Sequence, residues 1–182
     1  TILSQSTARE FGENMPGAYG LLPSPKYFER ILSPAVTFAP SLEGELLRDA
    51  YGEKIDDFDE FQRFLTGFND NRLEPAPTDT DSINLLESNL LANATSTHIS
   101  LDNYVIPSTI KVSQIVGWGL DTISGVEYYG RNVCNLAAGE NICVPDIQLK
   151  RKPIFTIDGD ETVVSPSAGA YDGDTYYFNI FD

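Results

Sequence analysis

The chain has 182 residues, 27 acidic side chains against 12 basic ones, a formal net charge of -15 and a pI near 4.2. That length supports one ordinary domain with its own core, and ten Phe and nine Tyr are too many buriable groups for a disordered chain. A surface so negative repels phosphate backbones and anionic membrane faces, which argues against a nucleic-acid partner, and no run of about 18 apolar residues marks an integral membrane protein.

Residues 1–40 read as loop-rich, and residues 1–20 lack the basic start and apolar stretch of a signal peptide. In LLPSPKYF (21–28), Pro23 and Pro25 around Ser24 predict extended or turn geometry rather than helix. PAVTFAP (34–40) is β-prone but bounded by prolines, which predicts at best an edge strand.

Residues 43–81 carry twelve Asp or Glu against four Lys or Arg. Within them DDFDEFQRFLTGF (56–68) places Phe58, Phe61, Leu65 and Phe68 near helical spacing, with Phe64 beside them. Asp56 or Asp57 can cap this helix, and Gly67 suits its C-terminal stop. A polar, proline-broken loop follows over 69–81. A second helix is expected over 82–102, weak in its NATST middle, which also holds an N-glycosylation triplet at Asn93.

The last eighty residues change character. TIKVSQIVGWG (109–119) predicts a buried strand through Val112, Ile115 and Val116, stopped at Gly117. GVEYYG (125–130) and IQLKRK (147–152) alternate like a hairpin. PIFTI then gives a further strand before the acidic turn DGDE (158–161). Cys134 and Cys143 sit nine apart in a polar loop between the hairpin strands. They read either as a disulfide, worth roughly 2–3 kcal/mol and favoured in a secreted protein, or as two reduced thiols. Helices first, then strands with Asp and Gly at their ends, point to an α/β sheet whose functional side chains gather beyond the strand carboxyl ends.

The sharpest chemical feature is IDGDETVV (157–164), a strand running into an acidic turn. Asp160 there could orient a histidine tautomer and stabilise its imidazolium, which needs a fixed carboxylate on a rigid strand end. Asp158, Asp160 and Glu161 could instead hold a hard cation, or form a solvated acidic turn. The only histidine, His98, falls in the expected second helix and reads as structural, hydrogen-bonded near the helix end. No phosphate-binding loop, dinucleotide fingerprint or zinc-protease motif occurs, and no cofactor is implied.

Taken in order, LLPSPKYF (21–28), THISLDNY (97–104), IVGWGLDTISGVEYY (115–129) and DGDETVVSPSA (158–168) resemble the C-terminal half of the lecithin:cholesterol acyltransferase-like branch of the α/β-hydrolases. The resemblance implies a partial α/β-hydrolase fold, with residues 43–102 as helical cap and 103–182 as the C-terminal strands and acid-bearing turn. It implies acyl-ester hydrolysis or acyl transfer on a lipid or other acyl ester, with Asp160 as the triad acid. Phe58, Phe61, Phe64, Phe68 and Trp118 could face an acyl substrate, or the phenylalanines could pack the cap core. The family's serine elbow is missing: SPSAG (165–169) has Ser165 where the first glycine belongs. No histidine follows Asp160 either, although the triad order requires one. The reading is therefore that nucleophile and base lie outside this sequence and that the chain alone is inactive. The alternative is a secreted, non-catalytic acidic module that binds Ca²⁺, a protein or a carbohydrate through Asp158, Asp160, Glu161, Asp172 and Asp174.

Overall fold

The computed structural model describes residues 4–40, 42–68, 70–136, 143–171 and 173–181, with side chains described outside 42–46, 133–136 and 143–147. In chain order the elements are α1 (Gln5–Asn14), α2 (Pro16–Tyr19), α3 (Pro25–Arg30), β1 (Val36–Phe38) and α4 (Leu42–Tyr51). Then come β2 (Lys54–Ile55), α5 (Phe58–Thr66), α6 (Ser88–Asp102), β3 (Ser113–Trp118), β4 (Thr122–Leu136), β5 (Cys143–Thr156), α7 (Ser165–Ala168) and β6 (Asp174–Asn179). This is a mixed α/β structure.

The larger sheet has the order β2-β1-β4-β5: β1 runs antiparallel to β2 and parallel to β4, and β4 and β5 form a long antiparallel hairpin. A second sheet holds β3 and β6 in parallel register, from Ser113 beside Asp174 to Trp118 beside Asn179. The core forms where α4 and α5 cover the first sheet. Val36, Phe38, Leu47, Tyr51, Ile55, Phe61 and Phe64 are buried together there. Rings of Phe38, Tyr51, Phe64 and Tyr128 meet at centroid distances of 5.6–6.3 Å, the spacing at which edge and offset contacts are favourable. Residues 43–102 supply α4, β2, α5 and α6, but they share this core with β1 and with Tyr128 of β4.

Helix α5 forms where its spacing places it. The Asp57 side chain accepts from Glu60 N at 2.9 Å, Asp59 and Glu60 lie in the first turn, and Gly67 ends the helix with φ 67°. Elsewhere tertiary contacts moved the boundaries. The N-terminal forty residues are not mainly loop but hold α1, α2 and α3. Ser4 caps α1 by accepting from Thr7 N at 3.1 Å. Pro25 opens α3 because the first helical position needs no N–H donor, so the proline pair limits the helix without forbidding it.

Strand β1 is interior rather than an edge. Pro34 and Pro40 lie outside its three residues and remove no ladder bond, while Ala35 N donates to Ile55 O and Val126 N donates to Ala35 O. Helix α6 starts at Ser88 instead of near 82. Arg9 of α1 donates to Ser82 O and Asn84 Oδ1, and Leu86 N donates to Leu65 O, which holds 82–86 out of a helix. The expected IQLKRK and PIFTI strands are one strand, β5, whose position at the sheet edge tolerates Pro153. In β3 only Val116 is fully buried; Ile115 is 79% exposed, and the strand runs past Gly117 to Trp118 before Gly119 turns it at φ 108°. The disulfide expectation rests on Cys134 and Cys143 side chains that lie outside those described.

Candidate functional site

Strand β5 ends at Thr156 and feeds the acidic turn, which is tied to the start of β4. Thr122, fully buried, donates through Oγ1 to Leu120 O at 3.0 Å and accepts from Glu161 N at 2.8 Å. Gly159 presses on that threonine so closely that a Cβ would sit 2.7 Å from Thr122 Cβ, which is why the turn needs glycine here. Leu120 bridges Asp160 in parallel fashion, and Glu161 takes the left-handed conformation at φ 75°.

The three carboxylates of the turn are used separately. Asp160 Oδ1 accepts from Val163 N at 2.7 Å and Thr162 N at 3.0 Å, and these two donors hold its carboxyl below the usual aspartate range. Asp158 Oδ1 accepts from Ser165 Oγ, and Ser165 N donates to Asp158 O at 2.9 Å. Ser165 is thereby buried as the first residue of α7, its hydroxyl spent on Asp158, and is not an exposed nucleophile. Among the described residues, no group of three or more His, Cys, Asp or Glu is placed to hold a metal ion. Asp174 lies at the start of β6 and pairs with Lys111 Nζ at 3.4 Å; Asp172 lies outside the described residues.

Beside this turn lies a cleft of about 710 Å³, within the roughly 300–1,000 Å³ usual for small-molecule sites. Thr162, Val163 and Val164 of the turn form one wall, Phe61, Phe64 and Leu65 of α5 another, and Ile123, Ser124, Gly125, Val126 and Tyr128 of β4 contribute a third. A further wall comes from Leu21–Ser24, from Lys26, Tyr27 and Arg30 of α3, and from His98, Leu101 and Asp102 of α6. His98 Nε2 lies 3.0 Å from Gly20 O, so this nitrogen carries the proton and donates; the histidine ties α6 to the end of α2, the structural role expected of it. Tyr27 donates to Ser124 O at 3.5 Å, and burial raises the pKa of both Tyr27 and Tyr128, leaving the phenols neutral.

Of the expected substrate-facing aromatics, Phe61 and Phe64 line the cleft and also belong to the buried core. Phe58 packs against Phe28 at 6.0 Å, Phe68 is 62% exposed, and Trp118 at the end of β3 is half-exposed; none of these three lines the cleft. Sequence reasoning missed the α3 wall with Lys26 and Arg30. The available signal was their spacing of four, readable only once Pro25 is seen as a helix start.

No protein-family model, curated protein or solved structure was found to match the chain. Among the described residues no helix is long and apolar enough to cross a membrane.

Proposed function

We propose that this chain is the cap and C-terminal strand portion of a serine hydrolase or acyltransferase resembling the lecithin:cholesterol acyltransferase-like family, with Asp160 as the acid of its triad. The supporting observation is the state of that carboxylate. Backbone N–H groups fix Oδ1 and keep the group ionised, while Oδ2 has no partner among the described residues. One oxygen locked and the other free is the arrangement needed to accept an imidazole N–H and to stabilise the imidazolium that forms when a serine is deprotonated.

The surroundings agree. Gly119 N donates to Ile157 O and Ile180 N to Trp118 O, so the carboxyl ends of β3 and β6 flank the turn. A Cβ on Gly117 would lie 3.4 Å from Asp160 Cβ and would strike Ile180, which puts the chain leaving β6 beside the carboxylate. A histidine supplied after β6 could reach it there. The nucleophilic serine and that histidine would both come from outside this sequence. The neighbouring cleft, with apolar walls from α5 and β4, would take the acyl chain of the ester.

The test is Asp160→Asn in a polypeptide that carries the nucleophile. Loss of about 10³–10⁴ in kcat toward a p-nitrophenyl acyl ester, with KM and circular dichroism unchanged, is expected. Unaltered turnover in that variant removes Asp160 from the triad. The calcium-binding module has no comparable support among the described residues.

A further inference from the structure

Each cation in this chain has more than two carboxylates to choose from, since acids outnumber bases 27 to 12. Among the described residues eight of the cations do form ion pairs: Arg9, Arg48, Lys54, Arg63, Arg72, Lys111, Lys150 and Lys152. Of the remaining four, Arg131 and Arg151 are exposed, whereas Lys26 and Arg30 are half-buried and line the cleft without an ion pair among the described residues. They lie four apart on α3, hence on one face of it a turn apart. Lys26 Nζ reaches only the Asp102 carbonyl, at 3.5 Å, and Arg30 donates no hydrogen bond to the described residues. Asp102 is the one carboxylate among the described residues that line it. The cleft is thus a locally cationic spot with aliphatic and aromatic walls on a strongly acidic molecule.

A half-buried guanidinium without a partner among the described residues keeps its five donors unmatched there, and a planar anion satisfies them two at a time. We propose that the cleft binds a single-chain amphiphile with a carboxylate head, a long-chain fatty acid, with Lys26 and Arg30 holding the head. The tail lies along Phe61, Phe64, Leu65 and Val126. This site needs only the cleft and not the assignment of Asp160. Oleate binding by this chain, together with unaltered turnover of Asp160→Asn in the polypeptide that carries the nucleophile, leaves it standing while the hydrolase reading fails.

The experiment is calorimetric titration of the full chain with sodium oleate, methyl oleate and hexadecyl phosphate, below their critical micelle concentrations. One oleate per chain is expected, with methyl oleate bound at least about tenfold more weakly for want of its charge-assisted hydrogen bonds. Lys26→Gln with Arg30→Gln should weaken oleate by at least as much, and Lys26→Arg with Arg30→Lys should restore most of it. Equal binding of the acid and its ester, or undiminished oleate binding by the double glutamine variant, overturns the proposal. Tighter binding of hexadecyl phosphate than of oleate also overturns it, and assigns the head site to a phosphate. The acid-against-ester comparison uses the unsubstituted protein, so the answer does not depend on a variant folding.

Discussion

Replacing Phe64 by alanine separates its core role in α5 from the exposed position of Phe68 just past the end of that helix. Phe64 is 3% exposed and its ring lies 5.7 Å from Phe38, 5.6 Å from Tyr51 and 5.8 Å from Tyr128. The Arg72 guanidinium sits 4.7 Å above it and also donates to Phe64 O. Truncating a buried phenylalanine costs about 3–5 kcal/mol through lost transfer and the cavity left behind. Loss of the cation–π contact to a largely buried Arg72 places Phe64→Ala toward the upper end. Against a total stability of roughly 5–15 kcal/mol that is a large share. Phe68→Ala removes a ring that is 62% exposed and should stay within about 0.5 kcal/mol. Urea unfolding followed by circular dichroism, with unchanged m-values, measures both. Equal costs for the two substitutions would refute the assignment of Phe64 to the core.

Other predictions follow from backbone geometry and charge. A Cβ on Gly125 would sit 2.7 Å from Pro34 O and 3.1 Å from Ala35 O, backbone atoms that cannot step aside, so Gly125→Ala should cost about 1–3 kcal/mol by prising β4 from β1. Gly12 in α1 has nothing within 4 Å of its would-be Cβ, and Gly12→Ala should stabilise by about 0.5–1 kcal/mol; thermal melts of the two should shift in opposite directions. Asp57→Ala removes the α5 cap and should cost about 1 kcal/mol in the same melts. The Asp160 carboxyl is held below its ordinary value near 3.9 by the Val163 and Thr162 N–H groups. Its stabilisation is therefore complete above that value and is lost as pH falls through the lower folded one. Denaturation midpoints taken downward from about pH 5 should fall more shallowly in Asp160→Asn, and an identical acid profile would show that these bonds do not favour the charged form.

Much of the site was legible in local chemistry. DGDE between an apolar strand and a Thr-Val-Val run marks a rigid acidic turn, and that turn forms with Asp160 bonded to the N–H groups two and three residues on. His98 is also where its helix placed it, in a structural hydrogen bond. The cleft was not legible, because its walls come from residues as distant as Leu21 and Ala170. No local pattern states which segments will meet.

By itself the sequence determined what short-range physics controls. Asp57 and Gly67 bound α5, alternation set the β4–β5 hairpin, and an excess of carboxylates made the molecule acidic. Tertiary structure decided the rest wherever a distant partner outweighed a weak local preference. Arg9 held 82–86 extended against a helical pattern, and pairing on both sides made β1 interior despite its flanking prolines. Within α5 packing buried Phe61 and Phe64, while Phe68, beyond the Gly67 stop that ends the helix, stays exposed. Helical spacing defines a face, but only the sheet that meets this face determines how far along the helix it is covered.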